Sequence, residues 1–214
     1  MGKGKRIVYF ISSILVFILF VVFSYIVSTD TLNQFDFDIT VKIQDFIPQK
    51  FDTALSFLSL LGNIETYAFL IFLIAIFRRQ LSGLVTLISF GAAHVVELFG
   101  KAFLHHLGPP YLFFRYDLNL FFPSTYVKPG FSYPSGHSLR VAFITVILTF
   151  FILKSKKLSS LPKNILLITL FSFTFFMLLS RVSLGEHWIT DVIGGTLLGV
   201  SASLFAISLD KSFK

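Results

Sequence analysis

Six apolar stretches, each about as long as a lipid bilayer is thick, constrain this sequence more than any other feature. An α-helix needs about 20 apolar residues to cross the hydrocarbon core, where its backbone polar groups must be paired internally. The chain is 55% hydrophobic and 14% charged, with a mean hydropathy of +0.82, so it lies outside the range of soluble globular proteins. We therefore predict an all-α integral membrane protein, a single domain over residues 1–214 with six transmembrane helices in a bundle. The predicted spans are approximately 7–27, 60–77, 81–100, 138–153, 165–179 and 189–209.

The first span follows basic residues, as a secretory signal peptide also would. The apolar region of a signal peptide is about 7–15 residues long, however, and it ends in a small-residue cleavage site. Here the apolar stretch approaches 20 residues, as the spans above do. It ends at Val27-Ser28-Thr29-Asp30, which does not resemble such a cleavage site. We therefore expect a retained helix.

Two longer polar stretches separate the spans, at residues 28–53 and 105–134. In the first, Phe35, Phe37 and Ile39 alternate with polar residues, a period that favours a β-strand. For a region between two membrane spans, a short segment lying on the bilayer surface is favoured at least as strongly. The second stretch contains five of the seven prolines, and we expect it to be a long loop.

The positions of the basic residues predict the orientation in the membrane. Short loops rich in Lys and Arg stay in the cytoplasm, so both termini are predicted to be cytoplasmic in the cell membrane, with the 28–53 and 105–134 loops external. The same asymmetry explains the net charge of +7 without nucleic acid as a partner, because no basic loop interleaved with aromatic residues is long enough to form a groove. The amino-terminal side holds Lys3, Lys5, Arg6, Arg78, Arg79, Lys154, Lys156, Lys157, Lys163, Lys211 and Lys214. The opposite side holds Lys42, Lys50, Lys101, Arg115, Lys128, Arg140 and Arg181.

Two polar segments lie at the predicted external ends of the spans, where ionisable residues are costly and usually functional. One is Pro134-Ser135-Gly136-His137, and the other is Ser180-Arg181 followed by His187 and Asp191. If the second segment is helical, His187 and Asp191 share a face and can hydrogen-bond. The carboxylate would fix the imidazole tautomer and leave the other nitrogen free to attack, while His137 donates a proton to a leaving group. This set predicts phosphoryl-transfer chemistry at a membrane surface.

The same segments resemble motifs two and three of the type-2 phosphatidic acid phosphatase superfamily, Pro-Ser-Gly-His and Ser-Arg-x5-His-x3-Asp. The six-span layout is also similar to the membrane branch of that family. The resemblance implies that His187 is the nucleophile and forms a phosphohistidine, and that Asp191 orients it. It implies that His137 protonates the leaving oxygen and then activates water. The phosphate would be held by Lys101, Arg181, Ser180, Ser135 and the Gly136 backbone N–H.

The chain departs from the family in the first motif, Lys-x6-Arg-Pro. Lys101 and Pro109 match, but Gly108 occupies the position of the arginine. A phosphoryl group in transfer spreads negative charge over three oxygens, so the missing guanidinium requires a substitute. We favour Arg140 or Arg115, because a guanidinium is always charged, although Arg140 has the alternative of extending toward lipid headgroups. The full set of candidates is His105, His106, Arg115 and Arg140.

Spacing excludes some sites and predicts two internal contacts. The sequence has no cysteine and no His-x3-His or equivalent pair, so we expect no metal and no cofactor. Glu97 precedes Lys101 by four residues, which predicts an ion pair on one helix face. Gly195 and Gly199 form a small-xxx-small pair, which predicts close helix packing.

The residues and the resemblance together predict a phosphatase acting on a membrane lipid phosphate or diphosphate at the outer leaflet. Undecaprenyl diphosphate is slightly favoured, and phosphatidylglycerophosphate, phosphatidic acid and a lipid A phosphate stay open. Two other functions on the same scaffold stay open as well. One is a non-hydrolytic lipid-binding or transport protein, and the other is a phosphotransferase in which an acceptor hydroxyl replaces water.

Overall fold

A computed structural model describes residues 3–78, 81–118 and 130–210, and all regular structure within these ranges is helical. The all-α prediction is therefore confirmed. Two 3₁₀ turns, Gln49–Phe51 and Tyr111–Phe113, lie in the connections between helices. The α-helices are α1 (Lys3–Ser28), α2 (Asn33–Phe46), α3 (Asp52–Leu61), α4 (Ile64–Arg78), α5 (Leu81–Phe103), α6 (Gly136–Lys154), α7 (Ser160–Ser183) and α8 (Ile189–Ser208).

Five or six candidate membrane spans are present in the described residues. Helices α1, α5, α6, α7 and α8 are each long and apolar enough to span a membrane. Helices α3 and α4, bent by 46° at a short break, pass the same test together, as one broken span or as a re-entrant loop. The bend lies at Gly62 and Asn63, inside the predicted second span. The multi-pass helical bundle is therefore confirmed, with five spans, or six if the α3–α4 pair counts as one.

A strand, one of the two structures that the sequence left open for the 28–53 segment, does not form there, because helix α2 occupies most of it. Asp36 and Thr40 are buried, and Ile43 and Gln44 are half-buried, so the inward face repeats with a helical period. Phe35 and Phe37, which produced the alternating pattern, are both 47% exposed. The helix therefore leaves both phenylalanines of the alternation exposed, and its two fully buried residues, Asp36 and Thr40, are polar.

Helix α6 forms the centre of the bundle and packs closely against α8. Leu139 and Phe143 of α6 are fully buried. A Cβ atom at Gly195 would collide with the Ser135 carbonyl, and one at Gly199 would collide with the Leu139 carbonyl. The predicted close packing at the two glycines is therefore confirmed, and it holds the start of α6 against the start of α8.

Helix α1 closes the bundle on the other side of α8. Ser13 Oγ donates to the Ser201 carbonyl, and Ser201 Oγ donates to the Ser13 carbonyl, each over 3.0 Å. Most large apolar side chains of α1 are exposed on the molecule, as expected of a surface that faces lipid. Two reciprocal hydrogen bonds therefore join α1 to α8 through serines that are 188 residues apart in sequence.

Four helix ends meet at what we call the site end of the bundle. It is defined by Lys101 near the end of α5, His137 in the first turn of α6, Arg181 in the last turn of α7 and Asp191 in the first turn of α8. The backbone N–H before α6 ties two of these ends together, because Ser135 N donates to the Asp191 carbonyl over 3.0 Å.

Candidate active site

A tight turn after α7 brings His187 back against Arg181. Gly185 has a φ of +66°, a left-handed conformation that a side chain would strain, and the Phe113 carbonyl lies where its Cβ would be. The backbone N–H groups of Glu186 and His187 both donate to the Arg181 carbonyl over 3.1 Å. The glycine in the third motif therefore sets the distance between the arginine and the histidine.

His187 is held by Asp191 through one ring nitrogen. Its Nδ1 lies 3.1 Å from Asp191 Oδ2, and the same oxygen accepts the Trp188 backbone N–H over 3.1 Å. His187 lies in the turn before α8, so the predicted contact is confirmed although the pair does not share a helix face. Asp191 is fully buried in the first turn of α8, where the helix dipole favours a negative charge.

The protonation of His187 follows from its surroundings. Burial lowers the pKa of His187, and the hydrogen bond and negative charge of Asp191 partly oppose this effect. The imidazole is therefore neutral near pH 7, with its Nδ1 proton directed to the carboxylate and a free lone pair on Nε2.

The second histidine, His137, is paired with Arg140. The Nη2 atom of Arg140 lies 3.2 Å from His137 Nδ1, and its Nε donates to the Gly62 carbonyl over 2.8 Å at the break between α3 and α4. A guanidinium only donates, so Nδ1 of His137 accepts and Nε2 carries the ring proton. Arg140 is 7% exposed and therefore does not extend toward lipid headgroups.

Lys101 is anchored by a buried carboxylate. Its Nζ lies 2.7 Å from Glu97 Oε1, which confirms the predicted ion pair, and Glu97 Oε2 lies 2.5 Å from His94 Nδ1. A Cβ at Gly136 would collide with the Glu97 carboxylate and lie 3.0 Å from Arg140 Nη1. The absence of a side chain at Gly136 therefore lets the α5 carboxylate reach the start of α6.

Arg181 has partners that sequence reasoning missed. Its Nη1 lies 2.5 Å from Glu186 Oε2 and donates to Ser59 Oγ, which in turn lies 3.2 Å from the same carboxylate oxygen. Glu186 precedes His187 directly, and this adjacency was an available signal. No feature of the sequence predicted the contact between Arg181 and Ser59 on α3, because nothing in the local sequence relates Ser59 to α7.

Some predicted residues are engaged elsewhere. Arg115 makes a two-pronged ion pair with Asp52, at 2.9 and 2.8 Å, and donates to the Gln44 and Ile47 carbonyls. The Ser180 hydroxyl donates to the Met177 carbonyl within α7. Ser135 caps α6, because its Oγ accepts from Ser138 N over 3.5 Å. His105 is exposed and packs on Phe131.

The fold and these contacts define a class of protein. It is a multi-pass helical membrane protein with two histidines, a buried aspartate and three cations gathered at one end of the bundle. The sequence profile of the PAP2 superfamily matches residues 80–213, and the chain belongs to this superfamily. The resemblance seen in the motifs is therefore confirmed.

Two curated relatives show what kinds of protein the chain is similar to. It is 28% identical over 138 residues to phosphatidylglycerophosphatase B of Bacillus subtilis strain 168, an alignment that covers 64% of this chain and 63% of that protein. The match therefore spans slightly less than two thirds of that relative's length. It is 29% identical over 162 residues to an undecaprenyl-diphosphatase of Sulfolobus acidocaldarius, covering 73% of this chain and 69% of the relative.

Two solved structures share the fold. The crystal structure of a transmembrane PAP2-type phosphatidylglycerolphosphate phosphatase from Bacillus subtilis matches with a TM-score of 0.73 at 22% identity, covering 94% of this chain and 97% of that one. The structure of LpxE from Aquifex aeolicus matches with a TM-score of 0.58, also at 22% identity, covering 80% and 93%.

Proposed function

We propose that the chain is a metal-independent lipid phosphatase that removes phosphate from a membrane lipid phosphate or diphosphate through a phosphohistidine on His187. The observation that carries the proposal is the state of His187, whose Nδ1 is held by Asp191 while Nε2 keeps its lone pair. His137, Arg181 and Lys101 lie close enough to His187 for their charges to act on it or, for His137, on each other. Membership of the PAP2 superfamily and its phosphatase relatives supports the same chemistry.

In the first step, the Nε2 lone pair of His187 attacks phosphorus and the bond from phosphorus to the leaving oxygen breaks. For this step His137 is the imidazolium, a form that the negative charge of the bound phosphate favours and in which Nδ1 no longer accepts from Arg140. Its Nε2 gives a proton to the leaving oxygen, which leaves the ring neutral, and Asp191 stabilises the charged phosphoimidazole through Nδ1–H of His187. In the second step, water attacks phosphorus while His137 takes a proton from it. The phosphorus–nitrogen bond then breaks, its electrons return to His187, and inorganic phosphate leaves.

The phosphate itself is held by the cations of the site end. Lys101, Arg181 and Arg140 supply positive charge, and the N-terminus of α6, with Ser135 and the Gly136 backbone N–H, adds donors where a helix favours anions. Lys101 and Arg181 are already paired with Glu97 and Glu186. These carboxylates offset the cost of burying the cations before substrate binds. Ser180 adds no donor in this arrangement, because its hydroxyl donates to the Met177 carbonyl within α7.

A phosphate-release assay on purified protein tests this function. The panel contains undecaprenyl diphosphate, phosphatidylglycerophosphate, phosphatidic acid and a lipid A phosphate, each assayed with and without EDTA. We expect release from at least one lipid at a rate that EDTA leaves unchanged, with undecaprenyl diphosphate slightly favoured. Binding without release would support the lipid-binding alternative, and phosphate found on an acceptor hydroxyl would support the transferase. Loss of activity in EDTA that one divalent ion restores would contradict the metal-free mechanism.

We propose that Arg140 replaces the arginine missing at Gly108. Arg140→Met is expected to lower kcat by about 10³-fold, because a fixed guanidinium contributes this much to phosphoryl transfer elsewhere. Gly108→Arg alone should be neutral or harmful, since the pocket already holds its cation. A side chain fits there, because a Cβ at Gly108 would make only an ordinary 3.4 Å contact with Ser132.

The double variant provides the control. Gly108→Arg in the Arg140→Met background should recover part of the lost rate, because the guanidinium then returns from the family's own position. Compensation by Arg140 would be refuted if Gly108→Arg raised the rate of the wild-type background, or if Arg140→Met left kcat unchanged in a folded protein.

We propose that the site end faces outward and that both termini are cytoplasmic, as the distribution of basic residues favours. The chain has no cysteine, so single thiols can report its orientation. Leu112→Cys, at an 88% exposed position between α5 and α6, should react with an impermeant maleimide in intact cells. Ser159→Cys, exposed between α6 and α7, should react only after permeabilisation. The opposite pattern would place the site in the cytoplasm.

A further inference from the structure

A third histidine, His106, lies behind the His187–Asp191 pair and between two buried carboxylates. Its Nε2 is 3.5 Å from Asp191 Oδ1 and 3.6 Å from Asp36 Oδ2. Thr190 Oγ1 lies 3.3 Å from the same nitrogen. His106, Asp36, Thr190 and Asp191 are each at most 3% exposed. The loop after α5, helix α2 and the start of α8 therefore meet in one enclosed polar cluster.

The hydrogen bonds of the cluster show which atom donates. Thr190 donates twice to Asp36, from its backbone N–H over 3.0 Å to Oδ1 and from its hydroxyl over 2.7 Å to Oδ2. The hydroxyl proton is thereby used, so the Thr190 oxygen faces His106 with its lone pairs. Asp191 Oδ1 is buried, and within the described residues no hydrogen bond to it is formed. His106 Nε2 thus faces three accepting oxygens, an arrangement that requires a proton on this nitrogen.

We propose that His106, fixed by Asp36 and Thr190, is a positioning residue that holds the Asp191 carboxylate in the orientation required by the nucleophile His187. This assignment rests on the phosphatase function proposed above and extends the site by one layer. His106 does not touch the substrate. It acts through Asp191, whose Oδ2 binds His187 while its Oδ1 faces the third histidine.

The surroundings of His106 are suited to this task. Its carbonyl accepts Ser132 N over 3.0 Å, and its N–H donates to the Leu104 carbonyl over 2.8 Å, so the backbone that carries the ring is fixed. The Tyr133 ring packs edge-on against it, with ring centres 6.3 Å apart. Without the imidazole, two carboxylates would share one dry cavity. Burial already raises the pKa of Asp36, and the charge of Asp191 adds to this effect.

Two polar replacements that differ in reach test the role kinetically. The glutamine side chain of His106→Gln can place its amide nitrogen where Nε2 lies, whereas the shorter asparagine side chain of His106→Asn cannot reach that position. We expect kcat of the Gln variant to stay within about fivefold of wild type and that of the Asn variant to fall about 10²-fold, the cost of misplacing a reacting group by about 1 Å. KM should change little in both. The matched control is His105→Asn, in the exposed neighbour, which should be unchanged. Equal kcat values for the Gln and Asn variants would overturn the proposal.

A double-mutant cycle separates positioning from structural support. In the Asp191→Asn background the carboxylate that His106 orients is gone, so His106→Asn should cost less than about threefold there, because residues that act as one unit are strongly non-additive. The same 10²-fold loss in both backgrounds would mean that His106 acts on the fold and not through Asp191.

A readout without catalysis keeps the test independent of the proposed function. The chain has five histidines, so ¹⁵N-histidine spectra in detergent are simple enough to follow His187 during a pH titration. His187 is surrounded by Asp191 of α8, Arg181 of α7, Lys101 of α5 and His137 of α6, which stay the same in both variants.

Without the Nε2–H group of His106, 3.5 Å from Asp191 Oδ1, the carboxylate presents more negative charge to His187, and this favours the imidazolium. The titration midpoint of His187 should therefore rise in His106→Asn and not in His106→Gln. Equal midpoints would overturn the positioning role even if the protein hydrolysed none of the lipids tested. A wild type that is inactive on all of them, but shows the shift, would refute only the proposed phosphatase function.

Discussion

Replacing His187 with alanine is expected to abolish phosphate release, with a loss of at least about 10⁴-fold, because removing a covalent nucleophile leaves only the weak effect of binding. The free Nε2 of this residue is the atom that forms the phosphohistidine in the proposed mechanism. Labelling with ³²P-substrate followed by a rapid quench should detect an acid-labile phosphoenzyme in the wild type and none in the variant.

The exposed His105 offers a matched control for this experiment. His105→Ala removes an imidazole of the same kind from the same end of the bundle, and it should retain both turnover and labelling. Normal turnover in a folded His187→Ala protein would assign the nucleophile elsewhere. His137 would then be the first residue to examine, because it is the other histidine of the proposed reaction.

Asp191→Asn is expected to lower kcat by about 10²–10⁴-fold while leaving the fold intact, as the same change does in serine-protease triads by favouring the wrong tautomer. The Trp188 N–H and His187 Nδ1 meet the same oxygen, Oδ2, so turning the amide nitrogen toward the imidazole costs the Trp188 bond. This is a loss of about 1 kcal/mol that the buried start of α8 should tolerate. The carboxylate that fixes the Nδ1 proton of His187 and balances the phosphoimidazole charge would be lost. Measuring kcat and KM separately, with thermal unfolding alongside, tests this expectation.

The control for charge is Asp38→Asn on the exposed face of α2, where the carboxylate accepts from Gln34 over 2.8 Å and lies away from the site. It should leave kcat unchanged. If Asp191→Asn kept the wild-type rate, the hydrogen bond to His187 would be a feature of folding, with no role in orienting the nucleophile.

The fold was predictable because the bilayer imposes a length on every crossing, and the apolar runs display that length directly. The α2 segment was not, because a helix leaves Phe35 and Phe37 of the strand-like alternation exposed and buries the polar Asp36 and Thr40. Its inward face is polar, since Asp36 binds Thr190 of α8. A prediction that places the apolar residues of this segment inside therefore finds the two-residue period of a strand and misses the helix. The break at Gly62 was hidden for a different reason, because the apolar run continues through it.

In the site, contacts between residues four apart were predictable, as the Glu97–Lys101 and His187–Asp191 pairs show. Arg140 was also a reasonable candidate, since it lies one helical turn after His137. The contacts of Ser59 with Arg181 and of Asp36 with His106 join residues 122 and 70 positions apart. Such contacts depend on how the helices pack, and spacing along the chain carries no information about them.

The paired serines of α1 and α8 have a consequence for how the molecule is made. The ribosome synthesises Ser201 188 residues after Ser13, so α1 must wait in lipid without its hydrogen-bonding partner while the intervening spans are inserted. Helix α8 also brings Asp191, and its arrival therefore closes the bundle and completes the nucleophile pair in the same event. In the proposed mechanism, a chain that ends before α8 would contain His137 and Lys101 but not the His187–Asp191 pair, so it would have no oriented nucleophile with which to attack lipid.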